Sequence, residues 1–283
     1  MNNIIETTPA QTASIQSTAV PRQSMFSSPQ YKSSLWRMFL SELYKLSVAW
    51  GYWVTVVLAV FVHVSFALIS NAYDPVYFSS EYVTDFASLT IFFITILAAL
   101  SVSSEYTHNT MRTTSLSSAH RLTAFHAKMM ANIVYHALFS GLIIVLTLLI
   151  HMTFALDVDF DGYKRPLFVY WVLLTLSSVM AAGLAYVVRS TAGAVTIIIG
   201  VFLVANILTI IDNETWRNFL INGLPSQALS NAVMDDAYAE ANKMWAETQG
   251  LTMWNWWQEM LVYCGYVCAG YIGGLIRYVK SDV

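Results

Sequence analysis

The stretch from residue 131 to residue 155 reads ANIVYHALFSGLIIVLTLLIHMTFA, without one Asp, Glu, Lys or Arg. A helix needs about 20 apolar residues to cross a hydrocarbon core ~30 Å thick, so this stretch reads as a membrane span. Five others of the same kind lie around it: Ala49–Ser70, Phe86–Ser104, Leu167–Val188, Gly193–Ile211 and Met260–Ile276. A backbone facing lipid must satisfy its own hydrogen bonds, which makes all six helices. The expectation is an all-α polytopic membrane protein with six transmembrane helices.

Composition agrees. Charged residues make up 11% of the chain and hydrophobic residues 57%, against roughly 25% charged in a soluble domain. Ion and proton pumps place ionisable groups inside the bilayer, and these stretches offer only His63, His136 and His151. A lone histidine in a span is first a hydrogen-bonding partner for a neighbouring helix, and Asn132 and Asn206 read the same way. Contact with a transported substrate is the second reading for His63, Asn132, His136 and Asn206. Cys264 and Cys268 lie one helical turn apart in the last stretch, which does not suit a disulfide. They read as small packing residues.

Charge sets the orientation. Arg22, Lys32, Arg37, Lys45, Arg112, Arg121, Lys128, Arg189, Arg277 and Lys280 fall on one side of the six spans, most of the acids on the other. The positive-inside rule then puts both termini in the cytoplasm of a multi-pass cell-membrane protein. Residues 1–34, rich in Ser, Thr and Gln, read as a disordered cytoplasmic tail. Residues 35–47 follow as an interfacial amphipathic helix, with Leu35, Trp36, Phe39, Leu40, Leu43 and Tyr44 apolar and Arg37, Ser41, Glu42 and Lys45 between them. Trp50, Tyr52 and Trp53 mark the membrane boundary. The six-span transmembrane domain covers 48–276, and 277–283 form a cytoplasmic C-terminus.

Three loops add detail. Glu105–Lys128 is a long cytoplasmic segment in which Glu105 can pair with Arg112 or cap the turn that follows. Its histidines, His108, His120 and His126, match no metal-ligand spacing. Arg189-Ser190-Thr191-Ala192 is a tight turn that makes spans four and five an antiparallel hairpin. The outer loop Asp212–Glu259 places Trp216, Phe219, Leu220 and Gly223 on one face, breaks at Pro225, and restarts with Leu229 and Val233. It reads as two short helices in the outer leaflet. In the last span Gly265, Ala269 and Gly273 recur every four residues, a stripe that lets a helix of this chain or of a second copy approach closely.

Several chemistries are missing. The chain has no G-x-x-x-x-G-K-[ST], H-E-x-x-H or G-x-S-x-G motif. No cofactor, metal or nucleic-acid surface is implied, and no enzymatic activity of its own.

Three segments carry a family resemblance. Ser41-Glu42-Leu43-Tyr44-Lys45-Leu46 is similar to an acidic–Leu–x–basic–Leu segment before the first span. Ser104-Glu105-Tyr106-Thr107-His108-Asn109-Thr110-Met111-Arg112-Thr113-Thr114 is similar to a Glu-Tyr-x-His-Gly-Thr-x-Arg-x-Thr signature, with Asn109 at the usual Gly. Leu224-Pro225 with Ala228-Leu229 resembles an outer-loop helix break. Together they resemble the membrane subunit of type-2 ATP-binding-cassette (ABC) exporters. The resemblance implies a permease dimer, homo- or heteromeric, each chain docked on a cytoplasmic ATP-binding subunit that hydrolyses the ATP. Glu105, His108, Arg112, Thr113 and Arg121 would form the coupling segment. Few charges in the spans suit an apolar or amphiphilic cargo. The competing expectation is a non-transporting membrane scaffold or sensor that binds a cytoplasmic partner.

Overall fold

The computed structural model describes residues 34–73, 87–113, 121–154, 164–208 and 213–280. The tail 1–33, His120 and the last three residues lie outside them. Every regular element among the described residues is a helix: α1 Leu35–Val48, α2 Trp50–Tyr73, α3 Ala87–Thr107, α4 Arg121–Phe154, α5 Lys164–Val188, α6 Thr191–Leu208, α7 Glu214–Gly223, α8 Pro225–Val233, α9 Asp236–Thr248 and α10 Trp256–Lys280.

Four of these are long and apolar enough to cross a membrane: Thr90–Thr107 in α3, Arg121–Leu149 in α4, and all of α5 and α10. A fifth is counted if α1 and the first part of α2, bent by 64° where they meet, form one span. The described residues are thus all-helical, and their long apolar helices make the chain a multi-pass membrane protein. The expected stretch Gly193–Ile211 falls on α6, whose described apolar part, Thr191–Val201, is shorter than a span.

Helix α5 is the axis of the bundle. It packs on α3, α4 and α10 and touches α6 and α8. Tyr170, Leu173, Leu174, Ala181, Ala182, Ala185 and Tyr186 are all buried along it, as expected of a helix apolar all round. Trp53, Val54, Val57, Leu58 and Phe61 of α2 are by contrast exposed, an apolar face of the kind that meets lipid.

Because lipid is as apolar as leucine, close helix contact must come from shape and hydrogen bonds. At the α5–α10 crossing a Cβ added to Gly183 would fall 2.2 Å from the Gly270 carbonyl oxygen, and one added to Gly274 would fall 2.7 Å from that of Gly183. The close approach within the chain therefore uses Gly270 and Gly274. Gly265 has nothing within 4 Å of its Cβ position, Gly273 has Val187 at 3.5 Å, and Ala269 is exposed. Cys264 and Cys268 are free, and Cys268 faces outward rather than into packing.

Hydrogen bonds fix the remaining neighbours. Tyr263 and Ser177 share one across the same crossing, and Trp171 donates to the Ala137 carbonyl at 2.8 Å. His136 is fully buried. Its Nδ1 lies 2.8 Å from the Asn132 carbonyl, so Nδ1 carries the proton and Nε2 accepts from the Tyr52 hydroxyl at 2.6 Å. Tyr52 thus points into the bundle, away from the boundary where Trp50 is exposed. Tyr52→Phe strands a buried acceptor and should cost about 1–3 kcal/mol, read as a lowered thermal midpoint.

The segment between α6 and α10 forms three helices, not two. Asn213 caps α7, Pro225 opens α8, and Asp235 caps α9. Two short helices were expected from the single break at Pro225, with no helix read at the acids Asp235, Asp236 and Glu240. Two of them instead serve as the cap and first turn of α9. Trp216 and Phe219 face outward, whereas Leu220 and Gly223 face in, so the four do not share one buried face. Helix α10 begins at Trp256, and Glu259 is buried inside it, not in a loop. Its Oε1 accepts from Asn231 of α8 at 3.2 Å.

Candidate functional site

Ser34 caps helix α1, its hydroxyl accepting from the Arg37 amide, so it belongs to the helix cap rather than to a tail. Phe39, Glu42 and Leu46 form its buried face. Their spacing of three and four residues is one helical stripe. Leu35, Trp36, Leu40 and Tyr44 are exposed. Glu42 was expected on the polar side of the helix. It is inside because α1 lies across α4, which offers a cation there.

That cation is Lys128, 4% exposed. The sequence gives the second half of the segment ending at Lys128 a helical character that runs into the third span, and α4 indeed runs unbroken from Arg121 for 34 residues, roughly 50 Å at 1.5 Å per residue. Lys128 therefore lies within a packed helix. Its Nζ meets Glu42 Oε2 at 2.8 Å and Glu105 Oε1 at 2.7 Å, and donates to the Ser101 carbonyl at 3.3 Å. Lys45 reaches Glu105 Oε1 at 3.2 Å and also pairs with Glu42. Two carboxylates and two ammonium groups from α1, α3 and α4 thus close into one neutral cluster. Burial pushes the Glu42 carboxyl up, but the Lys128 and Lys45 ammonium groups outweigh it and hold it below its ordinary value. Glu105 does not pair with Arg112; its carboxylate turns inward to the two lysines, while its backbone carbonyl caps the turn.

The chain leaves α3 through a Schellman turn. The Thr110 amide donates to the Glu105 carbonyl at 2.9 Å and the Asn109 amide to that of Tyr106 at 3.3 Å. Asn109 sits at φ 56°, left-handed backbone that Asn tolerates. Within this turn His108 is exposed; beyond it Arg112 and Thr113 are exposed and Met111 is buried. Glu105, His108 and Thr113 line one cavity with Lys45 and Lys128. Arg112 and Arg121 are not part of its lining; Arg121 is exposed and lies 3.5 Å from the Val279 carbonyl at the end of α10.

The α5–α6 turn flanks the same end. Two residues separate the helices, Arg189 is left-handed at φ 57°, and the Ser190 hydroxyl accepts from the Gly193 amide. The Arg189 guanidinium lies 5.7 Å over the Tyr106 ring, and Thr107 and Thr191 hydroxyls meet at 3.1 Å. Phe125, Tyr186 and Tyr278 stack beneath, with ring centroids 5.0 to 5.9 Å apart.

Sequence reasoning found Glu105 and missed its partners Glu42, Lys45 and Lys128. The signal was present: Ala124, Lys128 and Asn132 repeat every four residues, and all three are buried. Among the other residues singled out, Asn132 and His136 lie in the core. Asn132 donates to the Lys128 carbonyl at 3.1 Å and meets Ser101 at 2.9 Å. The side chains of His63, His151 and Asn206 lie outside the described ones. No protein-family model matches the chain, and no curated protein matches it.

Proposed function

We propose that this chain is the permease subunit of an ATP-driven type-2 ABC exporter, with six spans, both termini cytoplasmic, and α7 and α8 at the outer leaflet. One observation carries the reading. The segment after α3 shows His108, Arg112 and Thr113 to solvent, while Glu105, one turn earlier, is locked to α1 and α4 through Lys128 and Lys45. An exposed docking tip on a rigid internal anchor is what a lever driven by a separate motor requires. A push on the tip reaches two helices at once, because a buried cluster of paired charges does not yield cheaply.

The charge layout supports the same reading. Among the described residues the buried charged groups are Glu42, Glu105, Lys128 and Glu259. Between those positions the interior offers neutral groups such as Thr95, Asn132, His136 and Ser177. Among the described residues no chain of carboxylates runs through the bundle to carry protons or ions. Energy then enters from a cytoplasmic ATP-binding subunit, a second permease chain completes the pathway, and the cargo is apolar or amphiphilic.

Arg112→Glu reverses an exposed charge at the tip. It should leave the thermal midpoint of the purified chain unchanged and abolish co-purification of the ATPase subunit with it. Undiminished co-purification of that ATPase would count against the coupling role. Stable capture of a partner without nucleotide-binding activity would favour the scaffold reading.

A further inference from the structure

The last turn of α10 gathers basic side chains from three elements. Arg121 Nη1, at the start of α4, lies 3.5 Å from the Val279 carbonyl oxygen, and Arg189 Nη2, in the α5–α6 turn, lies 3.5 Å from that of Arg277. Arg277 and Lys280 of α10 itself are exposed beside them. The carbonyl end of a helix carries about half a negative charge. Four cations far exceed what that end can balance.

The acids nearby are already committed. Among the described residues at this end of the bundle the carboxylates are Glu42 and Glu105, and both are taken by Lys45 and Lys128. Residues 114–120, between α3 and α4, contain no Asp or Glu, and Asp282 after Lys280 can offset one charge of the four. The end of α10 therefore keeps an excess of positive charge that draws anions from outside the chain.

The surface leading up to these cations narrows the class of anion. Ile272, Ile276 and Lys280 follow one another every four residues, so they form a single stripe along α10. Ile272 and Ile276 are exposed, as is Val279 next to them. Across from Val279, Arg121 is followed by the exposed Leu122. His126, one turn further along α4, faces Tyr271 of α10 with ring centroids 6.2 Å apart, which sets the two helices side by side here. An apolar strip thus runs along α10 and ends on cations from both helices. A soluble acidic peptide gains nothing from that strip, whereas an amphiphile with an anionic head matches both parts. We infer that this end of α10 binds an anionic phospholipid, its phosphodiester between Lys280 and Arg121 and its acyl chains along Ile272, Ile276 and Val279. Basic groups attract an anionic leaflet in general; their convergence on one helix end, with apolar surface leading to it, makes a site. Such binding needs a membrane-embedded chain but no ATPase, so its failure and that of the exporter reading are distinguishable.

The test uses the full chain reconstituted in nanodiscs of equal parts phosphatidylglycerol and phosphatidylcholine, then released in mild detergent for native mass spectrometry. Both lipids carry a phosphodiester, but choline cancels its charge. Wild-type protein should retain phosphatidylglycerol at least about fivefold over phosphatidylcholine, the factor that one basic residue near the membrane surface supplies. Arg121→Gln combined with Lys280→Gln should bring the ratio close to one. Arg217→Gln combined with Lys243→Gln removes the same charge from α7 and α9 and should leave the ratio as in wild type. Ile272→Gln combined with Ile276→Gln keeps every charge but makes the acyl path polar, and should lower the retained phosphatidylglycerol severalfold. Equal retention of the two lipids by wild type, an undiminished ratio in the Arg121→Gln, Lys280→Gln protein, or an equal loss in the Arg217→Gln, Lys243→Gln protein overturns the inference. Displacement of the lipid by inorganic phosphate or by a poly-glutamate peptide at matched concentration also overturns it, since a soluble anion would then be the occupant.

Discussion

Lys128→Met should destabilise the folded chain by about 3–5 kcal/mol, the range for a buried ion pair that loses one partner. Methionine keeps the length and apolar stem of lysine, so little packing is lost. What remains is Glu42 and Glu105, 5% and 8% exposed, with only the half-exposed Lys45 between them. The readout is the thermal midpoint of the monodisperse protein in detergent, which should fall sharply. Two controls isolate the cause. Adding Glu42→Gln and Glu105→Gln to Lys128→Met should recover much of the loss, because removing a whole buried ionic network is often close to neutral. Lys45→Met alone should cost at most about 1 kcal/mol, as an exposed pair does. A single Lys128→Met protein that melts with wild type would show that the cluster does not hold α1 to the bundle.

The second large effect is expected at the α5–α10 crossing. Gly183→Ala adds one methyl group where the Gly270 carbonyl oxygen would be 2.2 Å away. The obstacle is backbone on a helix, so no rotamer change relieves it, and the two helices must move apart. Overpacking of a core costs about 1–3 kcal/mol when side chains can adjust; here they cannot, and the loss should reach or exceed the upper figure. Separation of α5 from α10 also breaks the Ser177–Tyr263 hydrogen bond. Gly265→Ala provides the contrast. Its Cβ meets nothing within 4 Å, and replacing a helical glycine can gain up to about 1 kcal/mol. A drop in yield of monodisperse protein for Gly183→Ala but not Gly265→Ala would establish the crossing as glycine-dependent. Equal behaviour of the two would refute it.

Much of the architecture was legible in the residues because lipid leaves a chain few options. Apolar stretches of span length became long helices, Asn109 took the left-handed turn, and Arg189-Ser190 closed a tight hairpin. The charged members of the site were not legible in the same way. Hydropathy sorts Glu42 to the outside of an amphipathic helix and Lys128 to a cytoplasmic segment outside the span, because a charge alone belongs in water. Each is buried only because the other is there, and that pairing joins α1 to α4 across the intervening α2 and α3. Glu259 repeats the pattern, read as loop and found inside α10 beside Asn231. The glycine stripe shows a related limit. Gly265, Ala269 and Gly273 have the expected periodicity, but the partner helix lies about one residue around the cylinder, against Gly270 and Gly274.

The sequence by itself determined that this is a bundle of membrane helices and where most of them begin and end, since each lipid-facing backbone must bond within its own segment. Only the tertiary structure decided which face of each helix turns inward. Local periodicity names a stripe, whereas the energy that buries Glu42, Glu105 and Lys128 together exists only when three helices bring opposite charges within hydrogen-bonding distance.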